Sequence, residues 1–197
     1  MKKASKTVTA TQESITKTTR DQILEAALRL FTTQGFDATP TAQISKEANV
    51  STGTLFHYFP NKNAILEQLY LLIKKDMSAT VQKNYDPTLP TKQRLHNSLR
   101  SYIEWALANR EKSVFLDQLY HSANISQKVK QEGYDEFNWM TDIVKAASKE
   151  VILKDYPLEF HLAMIGAICS GIINLYGKTS LSLDALLDAG LTMLIKN

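Results

Sequence analysis

Within the twelve residues Ser51 to Lys62, STGTLFHYFPNK, the chain gathers side chains suited to holding a polyanion. The hydroxyls of Thr52 and Thr54 can donate or accept, and their methyls can make apolar contacts. His57 and Tyr58 can donate, Lys62 carries an ammonium, and Gly53 lets a partner's backbone come close. This set suits phosphate oxygens and base edges rather than covalent chemistry. Residues for catalysis are scattered by contrast. Histidines 57, 96, 121 and 161 show no His-Glu-x-x-His spacing. Asp117 and His121 stand four apart and could share a helix face as a metal pair, although an ordinary surface pair is commoner. Cys169 lies in the most apolar segment, as a packed thiol does, rather than in the electropositive setting of a redox sensor. No enzymatic activity, cofactor or metal is expected.

Charge agrees with a polyanion partner. Residues 1–62 hold eight Lys/Arg against five Asp/Glu, so the whole net charge of +3 sits in the first third. With 44% apolar and 22% charged residues, the 197-residue chain has the make-up of a soluble globular protein with a sizeable core. A single cysteine rules out an internal disulfide and fits a reducing compartment, so a cytoplasmic location is expected. The first nineteen residues lack the apolar stretch of a secretory signal. The longest uncharged run, Leu162 to Gly177, is 16 residues, short of the roughly 18–20 a bilayer needs, so no membrane partner is expected.

Short elements must position the polar run, and apolar residues recur at helical spacing throughout. Residues 1–18, rich in Thr, Ser and Lys, read as a flexible arm. Thr19 can cap a first helix, with Gln22 completing a capping box. Ile23, Ala27, Leu30 and Phe31 form its stripe, and Gly35 its left-handed stop. Thr39 can cap a second helix that begins at Pro40, and Asn49 can turn the chain. Ser51 then caps a third helix ending near Phe59, and Asn61 a fourth running to about Tyr85. Further helical patterns cover about 91–108, 111–121, 126–154 with a break near Gly133 or Trp139, 158–177 and 182–195. The expectation is an all-α chain of about nine helices. Helices as short as the third cannot stand alone. Leu55 and Phe59, four apart, would anchor it, Phe56 reads as a further packing residue, and the polar side chains are left facing outward. A helix so placed after a tight turn is a helix-turn-helix, whose second element enters the major groove.

The stretch QILEAALRLFTTQGFDATPTAQISKEANVSTGTLFHYFPNKNAIL resembles the DNA-binding domain of the TetR family of transcriptional regulators. The resemblance rests on the Phe-x-x-x-Gly-Phe end of helix one, Thr39, Ile44, Ala48, Val50-Ser51 and the run Gly-Thr-Leu-Phe-His-Tyr-Phe-Pro-Asn-Lys. It implies a helix-turn-helix domain over 19–65, with the motif itself at about 39–59, and an effector-binding and dimerisation domain over 66–197. Thr39, Tyr58 and Lys62 become expected phosphate contacts. Thr52 and Gly53 lead the recognition helix, Thr54 and His57 are further reading positions, and Thr41 and Ser51 complete the expected DNA-facing set. Four positions depart from the family pattern: Pro40 for Ser or Thr, Asn49 for the turn glycine, Ser45 for alanine and Phe56 for tyrosine. The resemblance further implies a repressor that binds a palindromic double-stranded operator as a homodimer and is released by a small effector of unknown identity. The alternative is a helical protein-interaction or metal-binding module without DNA binding.

The second part carries its own signals. EFHLAMIGAICSGIINLYGK is apolar nearly all round, with Ala163, Gly166, Ala167, Ser170 and Gly171 allowing close helix contact. Leu183, Leu186, Leu187, Leu191 and Leu194 form a stripe on the last helix. Two such helices from each of two chains would make a four-helix bundle, so a dimer interface is expected at Ala163, Ala167, Ser170, Gly171, Leu183, Leu187 and Leu191. Trp105, Phe115, Tyr120, Trp139 and Met140, with His121, Asn124 or His161 as polar groups, are the candidates to line a pocket for a mostly apolar effector, although aromatic-rich stretches of this kind are more often core.

Overall fold

The computed structural model describes residues 18–120, 122–150 and 152–196. Residues 1–17 and His121 lie outside the described residues, and with them almost all of the expected arm and one expected pocket residue. The described chain is helical without strands: α1 Thr19–Gln34, α2 Thr41–Glu47, α3 Thr52–Tyr58, α4 Lys62–Lys83, α5 Thr91–Ala108, α6 Arg110–Tyr120, α7 Gln127–Asp135, α8 Asn138–Lys149, α9 Leu158–Leu175 and α10 Leu183–Thr192. That is ten helices where about nine were expected, because the 126–154 pattern divides after Asp135. Gly133 fixes that region. A Cβ there would stand 2.4 Å from Cε1 of Tyr70, so only glycine lets α7 lie this close to α4. The chain turns just beyond, where Ser78 Oγ donates to the Glu136 carbonyl at 2.6 Å.

Local starts and stops follow side-chain chemistry. The capping box of α1 forms one residue earlier than expected: Asp21 N donates to Thr18 Oγ at 3.2 Å, and Thr18 N to the Asp21 carboxylate at 3.2 Å. A carboxylate is the stronger acceptor, so Thr18–Asp21 prevails over Thr19–Gln22. Pro40, not Thr39, holds the cap position of α2, with ψ of 145°. Asn49 takes φ of 54° in the α2–α3 turn, which explains how it replaces glycine there.

Ile23, Ala27 and Phe31 of α1 pack with Ile44, Leu55, Phe59, Ile65 and Leu66. The same core continues without a gap into α5, α8, α9 and α10. α4 runs straight through the expected boundary at residues 65/66, so both parts share one rigid element. Lys74 of α4 sits with its ammonium 4.6 Å from the Phe137 ring and 5.3 Å from that of Tyr134, and burial pushes its pKa down to about 8. α9 is the one helix among the described residues long and apolar enough to cross a membrane; here it packs on α5, α8 and α10. The tail is tied back by an antiparallel bridge, with Lys154 N donating to Leu194 O and Lys196 N to Ile152 O.

Candidate nucleic-acid interface

α3 is seven residues long and is held by two side chains, Leu55 and Phe59, which are 0% and 4% exposed. Ser51 starts it: its Oγ accepts from Thr54 N at 3.0 Å and lies 2.8 Å from Thr54 Oγ1. That leaves Thr52, Gly53, Phe56, His57 and Tyr58 exposed on one short helix, with Thr54 half-buried. Thr52 Oγ1 stands 3.3 Å from Ser45 Oγ of α2, which fixes its rotamer at the rim. The His57 and Tyr58 rings meet edge to face with centroids 5.4 Å apart. A Cβ at Gly53 would meet nothing nearer than Ser51 Oγ at 3.7 Å, so its own fold does not demand glycine there. Thr41 opens α2 half-buried.

Three expectations change. Thr39 does not present its hydroxyl: it is 0% exposed, donates to the Gly35 carbonyl at 2.7 Å and accepts from Gln34 Nε2 at 3.1 Å. Lys62 does not reach outward either. Its Nζ donates to the carbonyls of Phe36 at 2.7 Å, Thr39 at 3.1 Å and Asp37 at 3.4 Å, and lies 4.3 Å from the centre of the Phe36 ring. Phe56 is not a packing residue, being 44% exposed. The helical arithmetic that makes Leu55 and Phe59 a stripe puts position 56 about 100° away from it, so this exposure was available from spacing. The Lys62 contacts were not, since they span 23 to 26 residues.

In the second part, the exposed face of α9 carries Ala163, Gly166, Ala167, Ser170, Gly171 and Asn174. Leu183, Leu187 and Leu191 of α10 are a correction: they are buried within their own chain at 7%, 0% and 3% exposure. Their stripe faces α9, and a Cβ at Gly190 would stand 2.5 Å from Ile168 Cγ2, which shows how closely the two helices approach. The outward side of α10 is instead Asp184, Asp188, Ala189, Thr192 and Met193.

The expected pocket residues do not converge. Trp105 is buried in the core. Phe115 stacks on Phe31, Trp139 donates from Nε1 to Ser78 Oγ at 3.1 Å, and Tyr120 is 63% exposed. Met140 is half-buried near Trp139 in sequence, on α8. His161, on α9, is 0% exposed, and neither ring nitrogen has a hydrogen-bond partner among the described residues. Two clefts among the described residues lie elsewhere. One of about 440 Å³ runs between α4 and α7, lined by Leu71, Leu72, Lys75, Glu132 and Asp135. The other, of about 270 Å³, lies between α1, α4 and α6, and its wall includes Phe115 and Asn124 from the expected set. Among the described residues, no group of three or more His, Cys, Asp or Glu side chains is placed to hold a metal ion.

Residues 23–69 match the family of bacterial regulatory proteins called tetR. The HTH-type transcriptional regulator YhgD of Bacillus subtilis, itself uncharacterized, is 32% identical over 83 residues, covering 42% of this chain and 44% of that protein. The HTH-type transcriptional regulator BetI of Vibrio campbellii is 37% identical over 65 residues, 33% of each chain. The matches thus span less than half the length of these curated relatives. Likeness of fold extends further. A TetR family transcription regulator from Shewanella sp. PV-4 superposes with a TM-score of 0.80 at 27% identity, over 92% of this chain and all of the other. One from Marinobacter aquaeolei gives 0.81 at 15% identity over 91% and 96%, which speaks to the fold alone.

Proposed function

Since the chain belongs to the TetR family of bacterial regulatory proteins, we propose that it is a transcriptional repressor in the cytoplasm, binding a palindromic double-stranded operator as a homodimer. The observation that carries this reading is α3. A helix too short to persist alone is anchored by Leu55 and Phe59, and every other side chain of its exposed surface is free to meet a groove. Thr52, Gly53, Thr54 and His57 read base edges, while Tyr58, with Thr41 and Ser51 at the helix starts, contacts the phosphates. Two half-sites about 34–36 Å apart, one helical turn, require two copies of α3 on one rigid assembly. The exposed small-residue face of α9 supplies the seam between the copies.

Release follows from a small, mostly apolar effector bound within the helical part. His161 supports this: a buried imidazole with both ring nitrogens unused gives a mostly apolar ligand a point of polar recognition. The effector must bind the DNA-incompetent arrangement more tightly than the competent one, and α4, shared by both parts, transmits the difference.

The test is a mobility-shift titration of the DNA upstream of the chain's own gene, in a salt series. Affinity should fall steeply with salt, as counterion release requires. Failure to retain any duplex, specific or bulk, at low salt would remove the regulator reading.

A further inference from the structure

Building on that reading, we propose that Lys62 is a positioning residue for DNA recognition: it pins the α1–α2 turn to the first turn of α4 and so sets where α2 and α3 stand. An ammonium has three N–H donors and no acceptor. Three carbonyls of one turn, those of Phe36, Asp37 and Thr39, surround the Lys62 Nζ at 2.7, 3.4 and 3.1 Å. All three donors are therefore spoken for inside the chain, and the Phe36 ring, 4.3 Å away, closes the remaining side. A Lys62 that swung out to a phosphate would strand those carbonyls and uncover that ring.

The pinned turn is rigid on its other side as well. Thr39 Oγ1 donates back to the Gly35 carbonyl. Gln34 at the end of α1 and Gln43 within α2 exchange amide hydrogen bonds at 2.8 and 3.3 Å. Ser45, two residues beyond Gln43, touches Thr52 on α3 at 3.3 Å. A continuous set of polar contacts thus runs from α4 through the turn to α2 and the head of α3. The next residues of α4 hold the helical part: Asn63 Nδ2 donates to the Asn124 carbonyl at 3.2 Å, and Glu67 accepts from Ser126 N at 3.2 Å. The first two turns of α4 grip the α6–α7 loop on one side and the helix-turn-helix on the other. Lys62 is the tether on the DNA-facing side.

Positioning and phosphate contact predict different behaviour, which decides between them. In the full-length protein, Lys62→Met should lower affinity for the duplex upstream of the chain's own gene by about tenfold or more, with much less effect on an unrelated duplex of equal length. The slope of log affinity against log salt should stay unchanged, and amide exchange at residues 36–39 should quicken without DNA. Lys62→Gln, which keeps a donor but no charge, should retain part of the preference and serves if Lys62→Met does not fold. A slope lower by about 0.9 with equal losses on both duplexes identifies a phosphate contact and overturns the proposal. So does a fall in melting temperature with equal losses on both duplexes, which marks a merely structural role. If the unaltered protein binds no duplex, the regulator reading falls and this inference with it. Unchanged exchange at 36–39 in Lys62→Met overturns this inference alone.

Discussion

Phe31 of α1 and Phe115 of α6 lie ring against ring, with centroids 6.5 Å apart and planes 14° from parallel. Both are 1% exposed, so the pair welds the first helix of the helix-turn-helix to the helical part. Phe115→Ala should cost about 3–5 kcal/mol. The adjoining cleft lets solvent reach the gap, which favours the lower end of that range. Urea unfolding measures it, and a loss under about 1 kcal/mol would mean the two parts are stabilised separately.

Neighbouring apolar residues on α3 should behave oppositely. Leu55, fully buried, should cost about 2–5 kcal/mol when truncated to alanine. Phe56, 44% exposed, should cost less than about 1 kcal/mol on the same change. Equal destabilisation in denaturant titrations would restore Phe56 to the core.

These residues also show how far the sequence could be read. Periodicity of 3.6 located the helices, and short-range chemistry located the caps of α3 and α4 while missing those of α1 and α2 by one residue. Ser51, Asn61 and Asn49 act as their types require, with Asn61 Oδ1 accepting from Ala64 N at 2.8 Å. What failed was direction. A leucine stripe shows that a helix buries a face, not whether its own chain or a second copy covers it; for Leu183, Leu187 and Leu191 the answer is its own chain. Lys62 was misdirected for the same reason, since the carbonyls it reaches belong to a turn more than twenty residues away.

For the proposed interface, Tyr58→Phe should weaken binding to all duplexes alike, because a phenol on phosphate carries no sequence information. Thr52→Ala should change preference among operator variants, by about 1–3 kcal/mol at the base pair it reads. Thr52→Ser keeps the hydroxyl that meets Ser45 and loses only the methyl, separating base reading from local packing. Uniform loss across variants in an anisotropy competition would end the role of Thr52 as a reader.

Burial pushes the Cys169 thiol up to about 12 from an ordinary value near 9. At pH 8 the thiolate fraction should then fall about a thousandfold, since each pKa unit is tenfold. Iodoacetamide should label the folded protein far more slowly than the urea-unfolded chain. The sign for stability follows. An acid whose folded pKa is raised favours folding most while both states stay protonated, below about 9, and that contribution is lost as pH rises toward 12. Cys169→Ala should flatten this alkaline decline, and rapid labelling of the folded protein at pH 8 would show an accessible thiolate instead.

The α9 seam can be tested without harming the fold, and Gly171 is the place to do it. A Cβ there meets no atom within 4 Å, and the position is exposed in the single chain, so its own fold does not demand glycine. Replacing a mid-helix glycine should even favour the monomer by about 0.5–1 kcal/mol. Gly190 offers no such freedom, because Ile168 Cγ2 lies 2.5 Å from where its Cβ would be. In a two-fold interface every substitution appears twice. Gly171→Glu therefore places a pair of carboxylates in the seam and should give a folded monomer by light scattering. Because two half-sites need two joined copies of α3, operator affinity should fall with the dimer. A Gly171→Glu protein that stays dimeric would move the interface off this face of α9.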